Sequence, residues 1–249
     1  MKPRQRHARS RRRGLPRIAA IVPAYNEHRT LGDVLRSLRS SHRVDEVLVV
    51  SDGSTDPTVD VARRFGVKVI HRRRNHGKGT AMAVGVAHTR ARVLLFVDGD
   101  IAGLTGDHLA ALMEPVLAGT VAMQVGIRNR GRLLNRLHPR TGPLLSGIRC
   151  LRREVFEAVP SRYLEGFRVE TALNWACRRL RLRRGTVVLH GIRHLVKERK
   201  RGLLAGLGGR LRMFTSVFLA FLRLRLEPAP RRRRPLRPPL EPDLELINF

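Results

Sequence analysis

The stretch LLFVDGD, residues 94–100, is an apolar run that ends in two carboxylates one residue apart. Residues 93–97 have the length and composition of a strand buried on both faces of a parallel sheet. Three earlier runs, residues 18–22, 47–50 and 67–70, share that pattern. Helical stretches lie between them. Residues 30–38 place Leu31, Val34, Leu35 and Leu38 on one face with Thr30 in the cap position. Residues 57–65 open with Asp56 at the cap and Pro57 first in the helix, and residues 80–88 form a third helix. This alternation predicts an α/β fold with a mostly parallel central sheet. Ligands of such sheets collect beyond the carboxyl ends of the strands, which puts Asp98 and Asp100 at the mouth. A hard cation, Mg2+ or Mn2+, takes oxygen ligands and is held there by one or two carboxylates together with substrate phosphates. An acidic turn after a strand has the same composition, so the neighbouring loops decide.

Those loops are rich in polar and turn-forming residues at the same sheet edge. The first strand runs into IVPAYNE, residues 21–27, and the second into SDGSTD, residues 51–56. Asp52 is suited to accept from a base N–H and Glu27 to bind a ribose hydroxyl, whereas Asp56 reads as a helix cap. NHGKGT, residues 75–80, sets Lys78 between two glycines at a helix start, where a cation approaches an anion closely. The upstream glycine and spacing of a Walker loop are absent. Beyond residue 100 the alternation loosens. Residues 107–117 read as a helix, 121–126 as a strand, 128–143 as a polar loop suited to a lid or acceptor wall, 152–158 and 169–180 as helices, and 186–189 as a strand.

Composition narrows the partners. The 249 residues suffice for one α/β domain and not for two. The net charge of +30 calls for an anionic partner. Yet aromatic residues make up only 4% of the chain, too few for a single-strand stacking platform, so nucleic acid is the weaker reading beside an anionic membrane or a phosphate-bearing substrate. Cys150 and Cys177 lie far apart without metal-ligand spacing, which suits a reducing compartment. The basic start lacks the apolar stretch and cleavage site of a secretory signal, so a cytoplasmic location is expected. Residues 1–17 and 227–249 read as basic and Pro/Arg-rich tails flanking a domain over residues 18–202. Residues 203–226 are apolar but punctuated by Arg210, Arg212, Arg223 and Arg225, leaving only 213–222 uncharged. That is short of the ~20 residues that cross a bilayer. Such a segment either lies in a membrane interface, at the inner face of the cell membrane, or packs on the domain or on a twin subunit of a homodimer.

Four motifs thus stand in order: VPAYNE, DGSTD, GKG and VDGD. Together they resemble the family 2 glycosyltransferases, over about residues 18–200. The resemblance implies a GT-A fold, the Rossmann-like fold of nucleotide-diphospho-sugar transferases, with the donor in the first half of the sheet and the acceptor in the second. It further implies that Pro23, Ala24, Tyr25, Glu27, Asp52, Lys78 and Gly99 line the nucleotide-sugar pocket, and that Asp98 and Asp100 match the metal-binding aspartates. TGPLLSGIRCLRR, residues 141–153, looks like the acceptor-side segment, where Ser146 and Gly147 let the chain pass close to the sugar. EGFRVETALN, residues 165–174, offers Glu170 as the base that removes the acceptor's proton, beside Asp100 in the catalytic set. In GIRHLVKERK, residues 191–200, His194 is the implied third metal ligand, with His190 its competitor. Lys197 and Arg199 are suited to a diphosphate or a phosphorylated acceptor.

The expected activity is sugar transfer from a UDP- or GDP-sugar to polyprenyl phosphate or another lipid. A small phosphorylated acid such as 3-phosphoglycerate is the second acceptor. A nucleotidyltransferase also places metal-binding aspartates on an α/β sheet, but it calls for a Gly-rich, cationic signature where this chain has VPAYNE.

Overall fold

The computed structural model describes residues 17–128, 146–164, 169–194, 223–224, 226–227 and 244–247. Four parallel strands, β1 (Ile18–Ala24), β2 (Glu46–Asp52), β3 (Lys68–Arg72) and β4 (Val93–Phe96), alternate with helices α1 (Leu31–Ser40), α2 (Thr58–Arg64) and α3 (Lys78–Ala87). The short strand β5 (Ile101–Ala102) and helix α4 (Gly106–Leu117) follow, then β6 (Met123–Arg128), β7 (Arg149–Arg152), α5 (Arg153–Glu157), α6 (Val169–Arg179), β8 (Arg184–Leu189), β9 (Arg193–His194) and β10 (Leu244–Ile247). The main sheet has the order β10-β3-β2-β1-β4-β7-β6-β8, with β7 antiparallel to both its neighbours and β10 antiparallel to β3. The remaining six strands share one direction, so the mostly parallel sheet is present.

Alternation along β1 builds the core. Ala19 and Ile21 join one apolar cluster with α3, α5 and α6, while Ile18, Ala20 and Val22 join another with α1, α2 and α4. Both faces of the sheet are therefore covered, as a near-continuous apolar strand requires. The result is a helix–sheet–helix sandwich whose strands β1, β2 and β4 all deliver their carboxyl ends to one edge.

Several expectations change in detail. Thr30 occupies the cap position of α1, but its hydroxyl makes no cap bond and donates instead to the Gly99 carbonyl at 2.7 Å. The reason is tertiary: the turn after β4 comes close and offers a buried acceptor. The cap of α2 falls on Pro57 rather than Asp56, so the helix starts at Thr58, and the Asp56 carboxylate, one residue before the cap, accepts from the Thr58 amide at 3.0 Å. Helix α3 begins at Lys78, two residues earlier than expected, because Gly77 adopts φ 92° and turns the chain into it. The expected tail over 227–249 contains β10, which pairs along β3 with Leu244 opposite Arg72. Leu244 and Ile247 pack on the two core clusters, a gain that the Pro/Arg-rich composition concealed. Near the end of segment 203–226, Leu224 is buried, and Glu227 accepts from the Tyr163 hydroxyl at 3.0 Å and pairs with Arg162. Residues 203–222 and 225 of that segment, and the loop over 129–143, lie outside the described residues.

Candidate active site

The loops after β1 and β2 are latched to one another. Asn26, at φ 55°, accepts from the Thr55 amide at 2.8 Å, and the Glu27 amide donates to the Thr58 hydroxyl at 2.8 Å. Pro23 and Ala24 are buried at the end of β1, while Tyr25 is exposed. Asp52 turns inward. Its carboxylate pairs with Arg72 at 2.9 Å and accepts from the amides of His76 and Gly77, at 3.1 and 2.7 Å. It is 3% exposed, so in this fold it shapes the loop that leads to Lys78. Gly99 is packed so closely against the Glu27 carboxylate that a Cβ there would collide with it. Glu27 thus lies between the first loop and the aspartate turn.

Lys78 joins the two halves of the site. Its ammonium lies 2.6 Å from Asp98 and 3.1 Å from Glu170. Burial alone would lower its proton affinity, but Asp98 and then Glu170 outweigh that and hold the ammonium well above the usual lysine range. Gly147 covers this pair: a Cβ on it would strike both Asp98 and Lys78. Ser146, one residue before, donates to the Gly126 carbonyl and accepts from the Ile148 amide at 3.3 Å. Glu170 is buried on the first turn of α6. The structure therefore brings together Lys78, Asp98, Gly147 and Glu170, residues drawn from four separate parts of the chain.

Asp100 directly precedes β5, and β5 pairs antiparallel with β9, so that Ile101 lies opposite His194. The backbone of His194 thus runs beside the aspartate turn. The His194 side chain lies outside the described residues, as do Lys197 and Arg199. Among the described residues, no three His, Cys, Asp or Glu side chains gather into a metal cluster. The carboxylates that could hold such an ion are those of Asp98, here paired with Lys78 at 2.6 Å, and Asp100. Oxygen donors of this kind would suit Mg2+ or Mn2+, which complete their coordination with waters and substrate phosphates.

With four ordered loops and the carboxylates at one sheet edge, the match to a family model is decisive: the model for glycosyl transferase family 2 covers residues 19–178. This chain belongs to glycosyl transferase family 2. Among curated proteins, it is similar to 4,4'-diaponeurosporenoate glycosyltransferase of Staphylococcus aureus (strain MRSA252), 35% identical over 102 residues, 39% of this chain and 27% of that protein. The chain therefore spans about a quarter of the length of such curated relatives. Among solved structures, it is similar to glucosyl-3-phosphoglycerate synthase from Mycobacterium tuberculosis in complex with Mn2+, UDP-glucose and phosphoglyceric acid. The TM-score is 0.69 at 27% identity, over 85% of this chain and 80% of that one. The same synthase with Mg2+ and UDP matches at a TM-score of 0.68 and 28% identity, over the same shares.

The sequence reading missed Arg149. This guanidinium, on β7, is fully buried behind Glu170. Its only signal was one more arginine in an arginine-rich chain.

Proposed function

We propose that this family 2 member transfers a sugar from a UDP- or GDP-sugar to an acceptor oxygen, with a divalent cation held by Asp98 and Asp100. The observation that carries the reading is the Lys78 bridge, in which one ammonium touches a carboxylate of the aspartate pair and the carboxylate of the candidate base. Donor chemistry and acceptor chemistry thus share one place. A bound cation would supply Lewis-acid stabilisation of the charge building on the leaving nucleoside diphosphate. The chain's own residues do the rest. Pro23, Ala24, Tyr25 and Glu27 form the nucleoside wall, and Asp52 holds that wall's neighbouring loop in shape. Lys78 offers an ammonium to the diphosphate, with Lys197 as a second cation and His194 as a third metal ligand. Ser146 and Gly147 bring the acceptor close over Asp98.

Where the acceptor oxygen carries a proton, as a hydroxyl or a phosphate monoanion does, Glu170 accepts that proton as the oxygen bonds to the anomeric carbon. The bond from that carbon to the diphosphate oxygen breaks, and its electron pair leaves with the nucleoside diphosphate. With Glu170 as the base, attack from the face opposite the leaving group would invert the anomeric centre, and the anomeric configuration of the product tests this against retention. Most of the rate comes from positioning and charge stabilisation.

For the acceptor, the basic surface and segment 203–226 support a lipid phosphate, met by a peripheral enzyme at the cytoplasmic membrane face. Among the described residues, no helix is long and apolar enough to cross a membrane. The likeness to glucosyl-3-phosphoglycerate synthase over 80% of its chain favours a second reading, a small phosphorylated acid. Both are tested together by measuring release of nucleoside diphosphate from UDP-glucose and GDP-mannose with Mn2+ or Mg2+, with polyprenyl phosphate or 3-phosphoglycerate added. Turnover of at least one pair, lost about a hundredfold in an Asp98→Ala/Asp100→Ala double variant, is expected. Turnover unchanged in the double variant would sink the assignment.

A further inference from the structure

Arg149 is 0% exposed, yet it sits in the middle of the sheet, opposite Phe96 of β4 and Val125 of β6. A guanidinium in such a place is costly unless its donors and its charge are both satisfied. Its Nε donates to the Ser146 carbonyl at 3.0 Å, its Nη2 donates to the same oxygen, and its Nη1 donates to the backbone carbonyl of Glu170 at 3.4 Å. One rigid fork therefore ties the acceptor-side segment, residues 146–148, to the first turn of α6. Burial pushes the Arg149 proton affinity down, to about 10, while the carboxylates of Glu170 and Asp98 act against that fall, which places its charge beside both.

The contrast with Lys78 gives this its meaning. Lys78 is 27% exposed, flexible, and shared between Asp98 and Glu170. An anionic donor diphosphate competes for its ammonium. Arg149 has no exposed surface and is pinned by two backbone carbonyls, so it stays where it is. We propose that Arg149 is a positioning residue for transfer: it fixes Glu170 and Ser146 at one spacing, and this clamp holds when Lys78 turns to the donor. The catalytic part of this inference rests on the proposed role of Glu170; the structural clamp does not.

The test uses Arg149→Lys, which keeps the charge without the fork, and Arg149→Met, which keeps the volume without the charge. Hydrogen exchange of the full chain, without substrate, is expected to speed up about tenfold or more at residues 146–148 and 169–172 in both variants. Residues 19–52 are expected to remain as in the wild type. Unchanged exchange at 146–148 and 169–172, in variants with wild-type melting temperature, would overturn the clamp. A general rise along the chain, or a large drop in melting temperature in both variants, would assign Arg149 to stability alone and equally overturn it. With UDP-glucose as probe, kcat is expected to fall about a hundredfold at unchanged donor KM, and Arg149→Lys should add nothing to Glu170→Gln in a double-mutant cycle. Additive losses would overturn its action through Glu170. Failure of the chain to bind UDP-glucose at all would overturn the donor reading, while the exchange experiment would still decide the clamp.

Discussion

Each half of the site is organised by one buried charge, and the two charges work in opposite senses. On the donor side the carboxylate of Asp52 gathers backbone N–H groups, those of His76 and Gly77, with Arg72 as its counter-ion. On the proposed acceptor side the guanidinium of Arg149 gathers backbone carbonyls, those of Ser146 and Glu170. The donor clamp closes a loop between neighbouring parallel strands. The acceptor clamp joins a strand to a helix across an antiparallel insertion in the sheet. Lys78 stands between them and touches both sides. A site built this way can be altered in one half without unmaking the other, provided the seam at Lys78, Asp98 and Gly147 survives.

The largest effect is therefore expected at the seam. Gly147→Val would drive a branched side chain into Asp98 and Lys78 at once, and turnover should fall by more than about a hundredfold, since even small misplacements cost that much. Wild-type turnover would show that the seam is looser than drawn. Next comes the donor clamp. Arg72→Met leaves Asp52 buried without its counter-ion, and a broken buried pair costs about 3–5 kcal/mol; the midpoint of urea unfolding reads it. A shift under about 1 kcal/mol would mean that the two amides alone satisfy Asp52.

Smaller again is Lys78→Met, which leaves Asp98 and Glu170 facing one another without the shared cation. Donor affinity should weaken about tenfold, a loss of about 1.4 kcal/mol, and the melting temperature should fall as well, because two partly buried carboxylates lose their shared cation. Smallest is Asp56. Burial raises its proton affinity, but bonds from Thr58 and His28 overcome this and hold the carboxyl below its ordinary 3.8. A carboxyl depressed in the fold contributes stability above its unfolded pKa and loses it as pH falls through the folded value. Asp56→Asn should therefore melt below the wild type at pH 7, by under about 1 kcal/mol at this partly buried surface site. The gap should close as pH drops from about 4 towards 2.

The donor half was largely legible from sequence, because β1 to β4 are short apolar runs with turn formers at their ends. Local pattern and tertiary role coincide there. The same holds for Asp98 and Asp100, whose place follows from the strand before them. The acceptor half was not legible to the same depth. Strand β7 has only four residues, two of them arginine, and its slot between β4 and β6 is a matter of strand order that periodicity does not encode. Arg149 could not be told from the many solvated arginines around it, since burial and not residue type gives it a role. Strand β10 was hidden for a related reason: Leu244–Ile247 form a strand because β3 offers an open edge, not because the segment is strongly patterned.

The most direct test of one site shared by donor and acceptor chemistry is Glu170→Gln. It removes the carboxylate from the acceptor side and leaves Lys78 paired with Asp98. UDP-glucose binding with Mn2+ and acceptor-dependent release of UDP are to be measured on the same preparation. Binding within about threefold of wild type, with release down about a hundredfold or more, is the predicted result. Equal losses of binding and release would contradict it and make Glu170 a structural carboxylate.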